Sequence, residues 1–254
     1  MLRKLSIFFC IITSLVACST ETNYAPVTDI NTIEHIPKTG VYRVLRHETL
    51  YSIAWRYGLD YRYLANRNHI APPYHVTAGQ LIYLNGKPVT TPQQIQPEFI
   101  APPRSVKPHT KPIVYAMPSS KPSANNFVEH ESNTPVRYWR WPAHGPVIGT
   151  YSSQNKGVNI GGRYHDPIYA TAAGQVVYSG NGLRGYGNLI IIKHNNAYLT
   201  AYAHNSSVLI REGDQVRAGQ KIAEMGNANG QRVILHFEIR RNGQPVNPLN
   251  YLAR

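Results

Sequence analysis

Eleven histidines in 254 residues invite a metal, and their spacing decides whether they can hold one. A catalytic zinc needs three imidazole, thiolate or carboxylate ligands and an open position for water; only then is the metal held tightly and the water acidified. Two ligands on one side of a strand pair call for His-x-x-x-Asp or His-x-His spacing. Neither His165, in His165-Asp166, nor His194, in Lys193-His194-Asn195-Asn196, has it. Around His236 the order is Ile234-Leu235-His236-Phe237-Glu238, and the residues four apart at Asn155 and Asn159 are amides. An asparagine offers a neutral, hard carbonyl oxygen, a poor ligand for a borderline-soft metal. His204, in Tyr202-Ala203-His204, and His236 each stand as a lone imidazole in β-rich sequence, where hydrogen-bonded structure is the commoner role. These residues suit binding better than hydrolysis. The glycines of Gly182-Leu183-Arg184-Gly185-Tyr186-Gly187-Asn188 do not open a helix, so they lack the aligned amides of a phosphate loop. They serve a tight turn and leave Arg184 free to face a partner.

The elements that must position these side chains fall in two compact units. In the first, Val41 to Val44 reads as a strand. Thr49 caps a helix with Leu50, Ile53, Ala54 and Tyr57 on one face, and Gly58 ends it. A second helix follows from Tyr61 to Asn68, then a loop at Ala71-Pro72-Pro73, then a strand from Gln80 to Leu84. Ten prolines lie between positions 85 and 135 with few large apolar side chains, the composition of a disordered linker. As polyproline II, at about 3.1 Å per residue, it would reach on the order of 100 Å. The second unit spans 136–254. Short apolar runs recur there at Gln175 to Tyr178, Leu189 to Lys193, Leu199 to Ala203, Lys221 to Glu224 and His236 to Ile239, with Gly turns between them, which predicts an all-β domain.

The N-terminus sets the compartment. Arg3 and Lys4 precede an apolar run from Leu5 to Val16 too short to span a membrane as a mature helix, the pattern of an export signal over 1–17. Leu15-Val16-Ala17-Cys18 resembles a lipobox, which implies cleavage before Cys18, acylation of its thiol and a tethered periplasmic protein. Several acyl chains on one residue anchor stably where one would not. Ser19 after the cysteine points to the outer membrane. Cys10 leaves with the signal, so no disulfide forms in the mature chain. Polar sequence over 18–40 reads as a flexible stalk. The formal charge of +13 fits an anionic wall polymer, an anionic membrane surface or an acidic protein partner. No nucleic-acid motif accompanies it, and no nucleic-acid partner is expected.

Two resemblances gather these observations. Glu48-Thr49-Leu50, Ile53-Ala54, Asn68-His69-Ile70 and Gly79-Gln80-Leu81-Ile82, in the order strand, helix, helix, strand, resemble the LysM module. That implies a small α+β (βααβ) domain over 41–84 that binds N-acetylglucosamine-containing glycan strands of peptidoglycan, with His47, Thr49, Leu50, Asn68, Ile70 and Pro72 as glycan-binding candidates. His47 departs from the glycine common there. The segments Lys156 to Ile160, Tyr202 to His204 and Ile234 to Glu238 resemble the M23 (LytM-type) metallopeptidase family. That implies a mainly β, antiparallel C-terminal domain over 136–254, joined to the LysM domain by the Pro-rich linker.

On that resemblance the family's zinc ligands fall on Asn155, Asn159 and His236, and its catalytic positions on His204 and Ile234. Three of the five are replaced, so no metal, no other cofactor and no catalytic residue is expected. The stretch from Gly185 to His194 with Ala201 to Asn205, and the order lipobox, LysM, linker, LytM, are similar to the NlpD group of division-associated lipoproteins. That implies a non-catalytic activator of a periplasmic zinc N-acetylmuramoyl-L-alanine amidase at the septum, with a partner-binding groove of Asn155, Asn159, Arg184, His204, Ile234 and His236. Two other readings of the same residues are a zinc endopeptidase using His236 with His165 or His194, and a tether between outer membrane and wall.

Overall fold

A computed structural model describes residues 34–85 and 135–253, apart from positions 229 and 231. The signal, Cys18, most of the stalk and the Pro-rich stretch up to position 134 lie outside the described residues.

The first unit contains β1 (Val41–Arg43), α1 (Leu50–Tyr57), α2 (Tyr61–Arg67) and β2 (Leu81–Tyr83). β1 and β2 pair antiparallel with Val41 opposite Tyr83. α1 begins where it does because Thr49 is extended and its hydroxyl accepts from the Ser52 amide, while the Ser52 hydroxyl accepts from the Thr49 amide. It stops at Gly58, whose φ of 65° a side chain would resist. Asp60 caps α2 through the Arg62 amide. The Asn68 side chain then locks that helix to β2, donating to the carbonyls of Leu64 and Tyr83 and accepting from the Tyr83 amide.

The second unit is one antiparallel sheet of ten strands: β3 (Val147–Gly149), β4 (Val158–Gly161), β5 (Pro167–Tyr169), β6 (Gly174–Gly180), β7 (Asn188–Lys193), β8 (Tyr198–Val208), β9 (Gln215–Val216), β10 (Lys221–Ala228), β11 (Arg232–Arg241) and β12 (Gln244–Val246). The five apolar runs of the sequence are β6, β7, β8, β10 and β11, each longer than its run. The shorter strands give too few alternations to be legible, and pairing with the long ones defines them. β11 is the hub: its first half lies against β4 and β10, and its second half against β8 and β12. Asn242 and Gly243, with φ of 50° and 79°, make the two-residue turn from β11 to β12.

The sheet buries both faces, and they differ. On one, Val176, Ile190, Ile192, Tyr202, Leu235, Phe237 and Ile239 pack with Val158, Ile160, Ile168 and Met225 as the core of the second unit. Each such buried aliphatic contributes roughly 1.5–3 kcal/mol. On the other, Val177, Leu189, Ile191, Leu199, Ala201 and Ala203 belong to the same apolar cluster as Leu50, Ile53, Trp55 and Leu64 of the first unit. The two units therefore share a core, where the linker by itself suggested independent bodies.

Candidate functional site

Register brings the separated motifs together. Within β11, His236 lies opposite Asn159 of β4 on one side and opposite Ala203 of β8 on the other. Residues directly opposite one another share a face, and alternation puts Ile234, His236, Glu238 and Arg240 of β11 on that face with Asn159.

The site is a chain of hydrogen bonds. His236 Nδ1 meets Asn159 Oδ1 at 2.7 Å, and Nε2 meets Glu238 Oε1 at 3.2 Å. The carboxylate accepts from the Nε2 N–H, and Nδ1 faces the Asn159 side-chain amide. The Tyr186 hydroxyl donates to the same Oε1 at 2.7 Å, and Arg240 Nε donates to Oε2 at 3.0 Å. Arg240 Nη1 continues to the Trp55 carbonyl of the first unit at 2.8 Å, with its guanidinium 3.6 Å from the centre of the Trp55 ring. His236 and Glu238 are completely buried. Burial alone would push the Glu238 carboxyl up, but Arg240 and then His236 and Tyr186 outweigh it and hold it at about 2.

The other expected site residues occupy different settings. Asn155 turns into its own loop: its side-chain amide donates to the carbonyls of Thr150 and Gly157, both at 2.9 Å. Ile234 is nearly buried beside His236. His204 has a φ of 64°, its ring centre lies 6.4 Å from that of His236, and its Nε2 is buried with no hydrogen-bond partner. Burial, then the neighbouring His236, lower its pKa to about 4. Arg184 is exposed and lines a small cavity with Lys156, Tyr186, Arg240, Trp55 and Arg56 where the units meet. Tyr186, Glu238, Arg240 and Trp55 were not singled out from sequence. The every-second-residue spacing of Ile234, His236, Glu238 and Arg240 is the signal that could have found two of them.

His165 and His194 do not join this group. His165 is exposed and pairs with Glu224 at 3.0 Å. His194 has Nδ1 on the Ala173 carbonyl and Nε2 on the Thr200 hydroxyl, both at 2.8 Å, with Trp139 edge-on. Among the described residues no three His, Cys, Asp or Glu side chains come together as a metal-binding group.

Two desolvated histidines, the half-buried His194 and the buried His204, give the fold a pH dependence. Burial lowers His194 to about 4, as it does His204, from an ordinary 6.5. The unfolded chain therefore takes up protons that the folded chain refuses between about 6.5 and 4. Stability is complete above that window and falls as the pH drops through it, by about 3 kcal/mol for each histidine. Melting temperature measured from pH 8 to pH 4 is expected to fall below pH 6.5, and His194→Gln to flatten the fall. A flat wild-type profile would show that these imidazoles are solvated.

The glycan candidates also divide. His47, with φ of 63°, and Pro72 are exposed, and Ile70 is half-buried. Leu50 and Asn68 require a correction: Leu50 is completely buried, and the Asn68 amide is spent on Leu64 and Tyr83. They hold the first unit together instead of facing a ligand. Thr49 donates its hydroxyl to the Val177 carbonyl of the second unit at 3.1 Å.

Comparison with known proteins agrees with this architecture. Residues 42–85 match the LysM domain and residues 153–248 match peptidase family M23. A Pseudomonas aeruginosa protein named lipoprotein NlpD/LppB homolog is 47% identical over 231 residues, covering 85% of this chain and 78% of that one. The murein hydrolase activator NlpD of Escherichia coli is 41% identical over 256 residues, covering 84% of this chain and 68% of that one. Among solved structures, Helicobacter pylori Csd3 aligns with a TM-score of 0.43 at 27% identity, over 46% of this chain and 33% of that one. With both domain matches in the expected order and identity of this level along most of its length, the chain belongs to the NlpD/LppB family of lipoproteins, a LysM module followed by an M23 peptidase-like domain.

Proposed function

We propose that this protein is a non-enzymatic activator of a periplasmic zinc N-acetylmuramoyl-L-alanine amidase. It is held in the outer membrane through Cys18, bound to peptidoglycan glycan strands by its LysM module, and acts at the division septum in daughter-cell separation. The observation that carries the reading is the state of the former metal positions. Asn159 and Glu238 occupy both ring nitrogens of His236, Asn155 is turned into its own loop, and an aliphatic side chain stands at Ile234. A catalytic zinc takes three protein ligands and a water. These donors offer one imidazole, already engaged, and amides, so the residues do not fit the zinc that the peptidase fold implies.

What remains is a groove suited to docking, with Asn155 and Asn159 half-buried, Arg184 exposed at its margin, and His204, Ile234 and His236 buried beneath them. The buried His204 Nε2 without a partner is a group that a docking protein would satisfy. The names of the relatives, one of them a murein hydrolase activator, support the same reading. A protein that activates must bind the active state of its partner better than the inhibited state, since equal affinity for both shifts nothing.

Dye release from labelled peptidoglycan by a purified amidase from the same organism tests this directly. The chain from Ser19 onward is expected to raise the amidase rate severalfold and to release nothing alone. Release by the chain alone, abolished by a chelator, would overturn the proposal in favour of an endopeptidase. No stimulation of any amidase would leave a tether between membrane and wall.

A further inference from the structure

The sheet face that carries Asn159, His236 and Glu238 is also the face the LysM unit covers. Across β11 and β8, His236, Glu238 and Arg240 stand opposite Ala203, Ala201 and Leu199, and Ala201 stands opposite Ile191 of β7. Ala203, Ala201, Leu199 and Ile191 lie in the apolar cluster that includes Leu50, Ile53 and Trp55. The same packing engages the LysM side that faces sugar. Thr49, beside the exposed His47, spends its hydroxyl on Val177. Tyr74, in the loop after Pro72, packs against Tyr51 and Tyr61. The Lys193 ammonium of β7 sits 5.5 Å from the Tyr61 ring centre and 5.8 Å from that of Tyr74. The two functional surfaces therefore lie against each other.

From this geometry we infer that the LysM unit is a lid on the groove-bearing sheet, and that an N-acetylglucosamine glycan lifts it by competing for the LysM loops. The inference rests on the glycan-binding and docking roles proposed above and adds the coupling between them. Three of the polar contacts across the junction are suited to a separable lid. Arg56 to the Gly182 carbonyl is 3.3 Å, Gln244 to the Gly58 carbonyl 3.1 Å, and Arg62 to the Asn242 side chain 2.9 Å, all in exposed settings. Exposed hydrogen bonds of this kind exchange readily with water. Arg240 ties the lid to the site, because its bonds to Glu238 and to the Trp55 carbonyl join the two units in one hydrogen-bond chain. Coupling is reciprocal: whatever opens the lid from the sheet side must also tighten sugar binding.

Gly243 provides the wedge for a test. A Cβ there would meet the backbone of Leu59 and Asp60 in the first unit at 2.6 Å, and its φ of 79° is one that asparagine tolerates better than most residues. Gly243→Asn lies on the sheet side of the junction, away from the sugar loops and from His236. Arg62→Ala, which removes one exposed contact across the junction together with the Arg62–Asp60 pair inside the first unit, is the second variant should the first fold poorly. The mature chain with Cys18→Ser has no other cysteine, so spin labels at the exposed Tyr63→Cys and Tyr164→Cys report the distance between units.

The expected result is one narrow distance distribution for the parent, broadened and lengthened by N-acetylglucosamine tetramer. Gly243→Asn broadens it without sugar and binds the tetramer more tightly, about tenfold if the closed form holds nine-tenths of the parent chains. A distribution unmoved by saturating tetramer, equal sugar affinity in parent and variants, or no tetramer binding by any of them overturns the inference. Neither readout uses an amidase. Broadening and tighter sugar binding without amidase stimulation would therefore sustain the lid while defeating the activator reading.

Discussion

Glu238→Ala is expected to destabilise the protein by about 3–5 kcal/mol, the cost of breaking a buried ion pair from one side. Glu238 is completely buried, and its two oxygens accept from Arg240, His236 and the Tyr186 hydroxyl. Without it, Arg240 remains 1% exposed with its positive charge uncompensated. The penalty is mostly that of the charge left behind. Joint replacement of Glu238 and Arg240 by methionine is therefore expected to cost well under the sum of the two single changes. Urea unfolding at pH 7 of the parent, both single variants and the double variant measures this. Single variants costing less than about 1 kcal/mol would mean that water reaches the pair and that the network does not organise the site.

Restoring the two replaced ligand positions and the replaced catalytic position should have the second large effect. Asn155→His, Asn159→Asp and Ile234→His together are expected to raise zinc binding to one equivalent, while amidase activation falls. The frame for this is present: position 159 already reaches His236 Nδ1 at 2.7 Å, and position 234 shares the face. Position 155 must swing out of its loop, giving up its two bonds to Thr150 and Gly157 at a cost of about 1 kcal/mol each. Zinc content after dialysis, read beside dye release with the amidase, checks both halves. Full zinc occupancy with undiminished activation would show that the docking surface lies away from these residues.

The local structure was legible because its causes are local. Thr49 and Gly58 announce the ends of α1, and alternating apolar runs announce β6, β7, β8, β10 and β11. β3, β4, β5, β9 and β12 were not legible, since two to four residues carry no period and only a partner strand makes them strands. Leu50 and Asn68 match a glycan-binding motif in sequence, while in the fold Leu50 is buried and the Asn68 amide bonds to Leu64 and Tyr83.

The sequence by itself determined the order of units and the side-chain chemistry at positions 155, 159 and 234, because an amide or an isoleucine offers neither imidazole nor carboxylate wherever the chain folds. Only the tertiary structure decided that His236 is closed off between Asn159 and Glu238, that Glu238 and Arg240 extend the site to Trp55, and that the LysM unit lies over the same sheet face. Those are contacts between residues as many as 185 positions apart. Strand register and the burial of two apolar faces against each other create them, and neither is written in any local stretch of the chain.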